Sequence, residues 1–188
     1  MIIGLTGSYC SGKDTVADYI VQKHGFGHYS LSEIIREIMK DENIESTREN
    51  LIVFGTNLRA QNGNGILAKK VLEKMEDKNY CITSIRHPDE VNELRKRKDF
   101  ILINVDAPKN IRFERMRKRK RTGDPETFEK FIEFEKRESQ NEGTGQQLTK
   151  CAKIADMIFI NDLNDINALN IKIEQLLFDI SLRLKQNV

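Results

Sequence analysis

Apolar positions along this chain recur at two spacings, and the spacing switches at glycines, prolines and short polar clusters. Met1-Ile2-Ile3-Gly4-Leu5 is a short continuous apolar run of the kind a buried strand shows, and Val16-Ala17-Asp18-Tyr19-Ile20-Val21 has helical spacing. Gly25-Phe26-Gly27 breaks that helix and leaves room for a short strand at His28-Tyr29-Ser30. Ser30-Leu31-Ser32-Glu33 has the form of a capping box, opening a helix with Ile34, Ile35 and Ile38 inward and Arg36 on another face. Ser46-Thr47-Arg48-Glu49 is a second such box, followed by Leu51, Phe54 and Leu58 at helical spacing up to Gly63-Asn64-Gly65. The spacing predicts a further helix over Ile66–Lys78, a β-prone run at residues 80–85, a short helix over Asp89–Arg97 and a long strand from Phe100 to Val105. A basic helix comes next, then a turn at Thr122-Gly123-Asp124-Pro125, a helix over Thr127–Gln140 and a mobile Gly143-Thr144-Gly145 stretch. A last strand, 155–161, precedes an amphipathic helix marked by Ile166, Leu169, Ile173, Leu176, Leu177, Ile180 and Leu184.

Strand and helix patterns alternate five times without a linker, repeat or shift of composition. The expectation is a single three-layer α/β domain over residues 1–188, built on a parallel sheet. No apolar run reaches membrane-spanning length, so a cytoplasmic protein with no membrane partner is expected. Cys10, Cys81 and Cys151 are odd in number and far apart, without the paired spacing of a metal or redox site.

The formal net charge is +2, but it is uneven. Between Arg112 and Arg121 there are seven cations against Glu114, a local +6, which leaves −4 for the rest. One concentrated basic segment on an acidic body suits a polyphosphate ligand and argues against a long nucleic-acid track, which needs cations over a whole face.

The candidate chemistry begins where the first strand ends. Gly7-Ser8-Tyr9-Cys10-Ser11-Gly12-Lys13-Asp14-Thr15 lies between a strand and a helix and has the glycine spacing of a phosphate-binding loop. Its glycines let backbone N–H groups turn inward around an anion, the helix N-terminus adds its positive dipole end, and Lys13 adds a point charge. Gly7, Ser8, Cys10, Ser11, Gly12, Lys13, Asp14 and Thr15 are therefore the expected nucleotide contacts. Asp14 stands where a hydroxyl residue normally follows the lysine. Either it ligates magnesium as a hard oxygen donor or it caps the helix, where negative charge is favourable.

Gly4-Leu5-Thr6-Gly7 with Ser11-Gly12-Lys13-Asp14-Thr15-Val16-Ala17 resembles the opening of dephospho-CoA kinases and phage-type deoxynucleoside monophosphate kinases. The Ser-Gly-Lys-Asp form is also similar to animal phosphomevalonate kinases. The likeness runs along nearly the whole chain, which also resembles the kinase-like part of deoxycytidylate-deaminase-related proteins. Ser30–Arg36 is similar to the adenylate kinase segment whose arginine holds the acceptor phosphate, Ser84–Glu90 to the strand end carrying a substrate arginine, and Ala155–Asn161 to the late strand that leads to the adenine. The resemblance implies the P-loop NTPase fold, with five parallel strands in the order 2-3-1-4-5 and a helical lid. It implies ATP and Mg2+, a nucleotide-like small-molecule substrate, residues 31–78 as acceptor-binding helices and residues 112–126 as the lid. Asn161 falls beside the base, and Ser84 stands where related kinases carry a magnesium-side Asp, so Asp14 and Ser84 form the expected metal pair.

Phosphoryl transfer asks for positioning and for cations around the transferred group. Lys13, Arg86, Arg115 and Arg119 are the expected catalytic cations, and Arg36, Arg59 and Arg86 the expected clamp on an acceptor phosphate. Arg112, Arg115 and Arg119 fall on one helical stripe, so all three are expected to face one ligand. The acceptor is open between a nucleoside or deoxynucleoside monophosphate and dephospho-CoA, and a non-catalytic nucleotide sensor is the rival reading. The oligomeric state does not follow from the sequence.

Overall fold

The computed structural model describes residues 1–121, 123–139 and 145–186. Thr122 of the expected turn, Gln140 at the expected helix end, and Gly143 and Thr144 of the expected mobile stretch lie outside the described residues. The strands are β1 (Ile2–Thr6), β2 (Gly27–Ser30), β3 (Tyr80–Thr83), β4 (Phe100–Asp106) and β5 (Met157–Ile160). The helices are α1 (Lys13–His24), α2 (Leu31–Asp41), α3 (Arg48–Asn62), α4 (Ile66–Lys74), α5 (Pro88–Leu94), α6 (Lys109–Arg119), α7 (Phe128–Ser139), α8 (Leu148–Lys153) and α9 (Ile166–Gln186). The strands form one all-parallel sheet in the order β2-β3-β1-β4-β5, as expected.

Successive strand residues point to opposite faces, so a continuous apolar run supplies two cores at once. Ile2, Ile82 and Leu102 pack under α2, α4, α5 and α8 against Leu31, Ile34, Leu67, Val71, Val91 and Cys151. Ile3, Leu5, Ile101, Ile103 and Val105 pack under α1 and α9 against Val16, Ile20, Leu169, Ile173 and Ile180. This three-layer arrangement places the C-terminal ends of all five strands on one edge, where parallel α/β sheets bind ligands.

Several boundaries differ from the pattern. Ser30 is the N-cap of α2 but makes no side-chain capping bond. Its hydroxyl bonds those of Ser32 and Ser84, and Glu33 pairs with Arg36, so the expected box does not form. At α3 the cap is Thr47, which accepts from Asn50 N. The reciprocal box lies instead at α5, between His87 and Glu90. The α4 helix stops at Lys74, four residues early, because Met75 turns extended. The short α8 was not expected, having little apolar periodicity beyond its buried Cys151.

Candidate functional site

Residues 7–12 turn between β1 and α1 because two positions accept backbone geometry that a side chain would prevent. Gly7 has φ +135, and a Cβ there would lie 1.9 Å from the Val105 carbonyl oxygen. Gly12, the N-cap of α1, has φ +89, and a Cβ there would lie 2.2 Å from Asn161 Nδ2. Lys13 Nζ donates to the carbonyls of Gly7 (2.9 Å) and Ser8 (2.7 Å) and reaches Ser11 Oγ at 3.4 Å. Burial, reinforced by nearby Arg86, lowers the Lys13 pKa from 10.5 to about 8. Burial also pushes the Cys10 thiol up, against the pull of Arg119.

A cavity of about 780 Å³ opens over this loop. It gathers residues from distant parts of the chain: Cys10 to Thr15, Ser84 and Arg86 after β3, Arg115 and Arg119 on α6, and Asn161 after β5. Gly7 and Ser8 lie on the other side of the loop, facing a separate cavity. Asp14 is exposed in the first turn of α1, whose N-cap is Gly12, so its carboxylate stands at the positive end of the helix dipole as well as at the rim of the cavity. Ser84 has a left-handed backbone (φ 61), and its hydroxyl shares hydrogen bonds with Ser30 (3.0 Å) and Ser32 (3.1 Å). Among the described residues no group of three or more His, Cys, Asp or Glu is placed to hold a metal. Asp14 and the Ser84 hydroxyl are nevertheless hard oxygens lining the same cavity, a donor set that fits magnesium shared with phosphates and water.

The arginine stripe divides. Arg115 donates to Ser11 O (3.3 Å), Asn161 Oδ1 (3.2 Å) and Leu163 O (2.9 Å), which ties α6 to the loop. Arg119 bonds the Tyr9 hydroxyl, stacks over the Tyr9 ring at 4.9 Å and approaches Asp124 at 3.3 Å. Arg112 turns away: it donates to Ala107 O (2.7 Å) and Tyr9 O (3.2 Å) and pairs with Glu135 on α7. The expectation that all three face one ligand is thus corrected, because Glu135 and two carbonyls claim Arg112 first.

Asn161 is buried, and its amide is divided between Ser11 O (2.8 Å) and Arg115. It pins the loop from below, a role the sequence did not signal. Tyr9 was also missed. Its hydroxyl donates to Asp124 Oδ1 at 2.6 Å and its ring packs against Phe134 at 5.3 Å, so one loop residue meets α6, α7 and the segment between them.

Beside the loop a second cavity of about 330 Å³ lies between the loop, α2, α3 and the end of β3. Arg36, Arg59, Arg86 and Arg121 line it over an aliphatic floor that includes Leu31, Ile35 and Leu67. Arg36 bonds Glu33 (2.7 Å) and Ser32 (3.3 Å). Arg59 is 5% exposed, and its Nε and Nη2 both donate to Oε1 of Glu90, which is 0% exposed. Glu90 Oε2 accepts from the backbone of Arg86 (2.8 Å) and His87 (3.0 Å). Arg59 therefore acts through Glu90 on the loop that carries Arg86. Gln147, at the start of α8, closes the other side by donating to Arg86 O at 2.7 Å.

A sheet in this order, with a glycine loop, lysine and arginines at its C-terminal edge, is a P-loop kinase-like fold. Among solved structures, TT1252 from Thermus thermophilus superposes with TM-score 0.63 at 18% identity, covering 98% of this chain and 97% of that one. Shikimate kinase from Aquifex aeolicus superposes with TM-score 0.58 at 18% identity, covering 100% and 98%. At that identity the likeness shows the fold alone. A family model described as an AAA domain matches residues 3–141. In sequence the chain is 34% identical over 170 residues to a UPF0200 protein of Pyrococcus abyssi, covering 86% of this chain and 88% of that one. It is 31% identical over 175 residues to a UPF0200 protein of Methanocaldococcus jannaschii, covering 90% and 86%. The chain belongs to the UPF0200 family and carries the AAA domain that the family model describes.

Proposed function

We propose that this protein is a cytoplasmic ATP-dependent phosphotransferase that moves the γ-phosphoryl group of ATP to a nucleotide-like acceptor, a nucleoside or deoxynucleoside monophosphate or dephospho-CoA. The observation that carries the reading is the pair of adjoining cavities. One sits over Lys13 with Arg86, Arg115 and Arg119, and the other is lined by Arg36, Arg59, Arg86 and Arg121. Tyr9, Ser32, Arg36, Ser84, Arg86 and Arg121 line both, so a donor in the first and an acceptor in the second meet at Arg86.

The loop N–H groups and Lys13 bind and orient the donor polyphosphate, and Lys13 leaves its own loop carbonyls to do so. Arg86 stands where both substrates meet and stabilises the charge of the transferring group. Arg36 holds the acceptor anion, and Arg59 positions Arg86 through Glu90. Arg115 and Arg119 bring α6 down on the loop, with residues 112–126 as a lid that excludes water and so suppresses hydrolysis of ATP. Asp14 with Ser84 would hold magnesium, which would supply neutralisation of the donor phosphates.

A coupled kinase assay over nucleoside monophosphates, deoxynucleoside monophosphates and dephospho-CoA tests the reading. ADP release that depends on one acceptor, abolished in Lys13→Met, is expected. Tight ATP binding without transfer to any acceptor would replace the enzyme with a nucleotide sensor.

A further inference from the structure

The α9 helix carries more apolar surface than the sheet covers. Leu169, Ile173, Leu176 and Ile180, spaced 4-3-4, are buried against the sheet and α1. Ile171, Gln175, Phe178 and Leu182 repeat that 4-3-4 spacing half a turn away, on the outward side of the same helix. Ile171 is 73% exposed, Phe178 57% and Leu182 44%. Three of the nine large apolar residues exposed among the described residues thus share one stripe of one helix, a concentration that singly scattered surface residues do not show. A 4-3-4 spacing is the seam by which one helix packs along another. Gln175, the polar member, donates its amide to Asp179 at 2.8 Å, which takes its polar end to the flank of the seam.

The flanking charges decide which helix fits. Lys172 and Asp179 border the seam on the side toward β5, where Lys172 Nζ donates to Ile160 O (2.6 Å) and Asp162 (3.0 Å). Glu174 borders it on the side toward α1, bonded to Tyr19 (2.6 Å) and His24 (2.9 Å). A second copy laid antiparallel, with Ile171 facing Leu182 and Gln175 facing Phe178, brings Lys172 beside Asp179 of that copy, and the two-fold repeats the contact. An ammonium has three hydrogens and a carboxylate two oxygens, so their bonds within the chain leave capacity for this one. A parallel copy would instead set Glu174 beside Asp179, two like charges. A partner of single charge sign would be repelled by either Lys172 or Asp179, which lie on the same flank.

We infer that the outward face of α9 is a self-association surface, on which two copies of this chain pair as an antiparallel dimer along Ile171, Phe178 and Leu182, with Lys172 against Asp179 on both sides of the two-fold. One helix seam gives an interface at the low end of the specific range, about 1,200 Å² or less, so the dimer dissociates at micromolar concentration.

Sedimentation velocity of the full chain over roughly 1 to 300 μM tests it, with Phe178→Ser, Lys172→Asp and Asp179→Lys as variants. The wild type is expected to pass from monomer to dimer across that range. Phe178→Ser and each charge variant alone should weaken dimerisation about tenfold or more. Lys172→Asp has an anion at both flank positions and Asp179→Lys a cation at both, so an equimolar mixture of these two variants should dimerise at least as well as wild type. Recovery on mixing cannot come from misfolded protein, and thermal melts confirm that Phe178→Ser is folded. A wild type that stays monomeric throughout, an undiminished dimer in folded Phe178→Ser, or a mixture that associates no better than its two components would each overturn the inference.

Discussion

Glu90, itself 0% exposed, gathers four donors onto two oxygens, and Glu90→Gln perturbs it with little change of shape. Oε1 takes Arg59 Nε (3.2 Å) and Nη2 (2.8 Å), and Oε2 takes the Arg86 and His87 amides. Glutamine offers one oxygen and one NH2, so whichever way it turns, two donors face a donor, and the Arg59 charge is left buried without its partner. Breaking a buried pair from one side costs about 3–5 kcal/mol. In a chain of this size each kcal/mol moves the melting temperature by about 2–4 °C, so a fall of roughly 6–20 °C is expected. Because Glu90 fixes the Arg86 loop and not the phosphate loop, ATP affinity at a temperature where the variant is folded should change less than twofold, while transfer to an acceptor falls at least tenfold. Differential scanning calorimetry reads the first effect, and nucleotide titration with the coupled assay reads the others. A melting point within about 2 °C of wild type, or a loss of ATP affinity equal to the loss of transfer, would refute this account of the pair.

Three further outcomes follow from the same geometry. Lys13 has a folded pKa of about 8, below its ordinary 10.5, so the fold favours its neutral form and stability from this group rises with pH across that interval; binding of a polyphosphate restores the ammonium. ATP affinity should therefore fall as pH rises above about 8, approaching tenfold per unit, with proton uptake visible as a buffer-dependent binding enthalpy. Asn161→Ala removes the donor that holds Ser11 O and the acceptor for Arg115, and ATP affinity should drop about tenfold or more, with a loss of about 1–3 kcal/mol in urea denaturation; unchanged affinity would show that the loop holds its own shape. Asp14→Asn should weaken the magnesium dependence of ATP affinity more than Asp14→Ser, which restores a hydroxyl near the ion, and equal dependence in both variants and wild type would remove Asp14 from the metal site.

The strands and most helices could be read from the chain because their causes are local. The continuous runs at 80–83 and 100–106 are buried on both faces, and the apolar residues of α9 follow a 3.6 period. The phosphate loop was visible because its glycines are demanded by close approaches to Val105 O and Asn161, and such demands leave a fixed spacing. The helix caps were less well read. Ser30 and Glu33 have the right spacing for a box, yet Ser84 and Arg36 offer these side chains other partners, one of them 54 residues away.

The sequence by itself therefore determined the alternation of elements, the parallel three-layer sheet, the phosphate loop and the existence of a basic helix beside it. Tertiary structure alone decided which cations reach the cavity. Arg112, Arg115 and Arg119 occupy one stripe, but Glu135 and the Ala107 carbonyl hold Arg112 back while Ser11 O and Asn161 draw Arg115 forward. Arg59 was diverted to Glu90 and Tyr9 was recruited to Arg119 and Asp124 in the same way. The physical reason is that a guanidinium or hydroxyl bonds the acceptors nearest to it in space. In this fold those acceptors come from segments up to 155 residues apart, which no local spacing records.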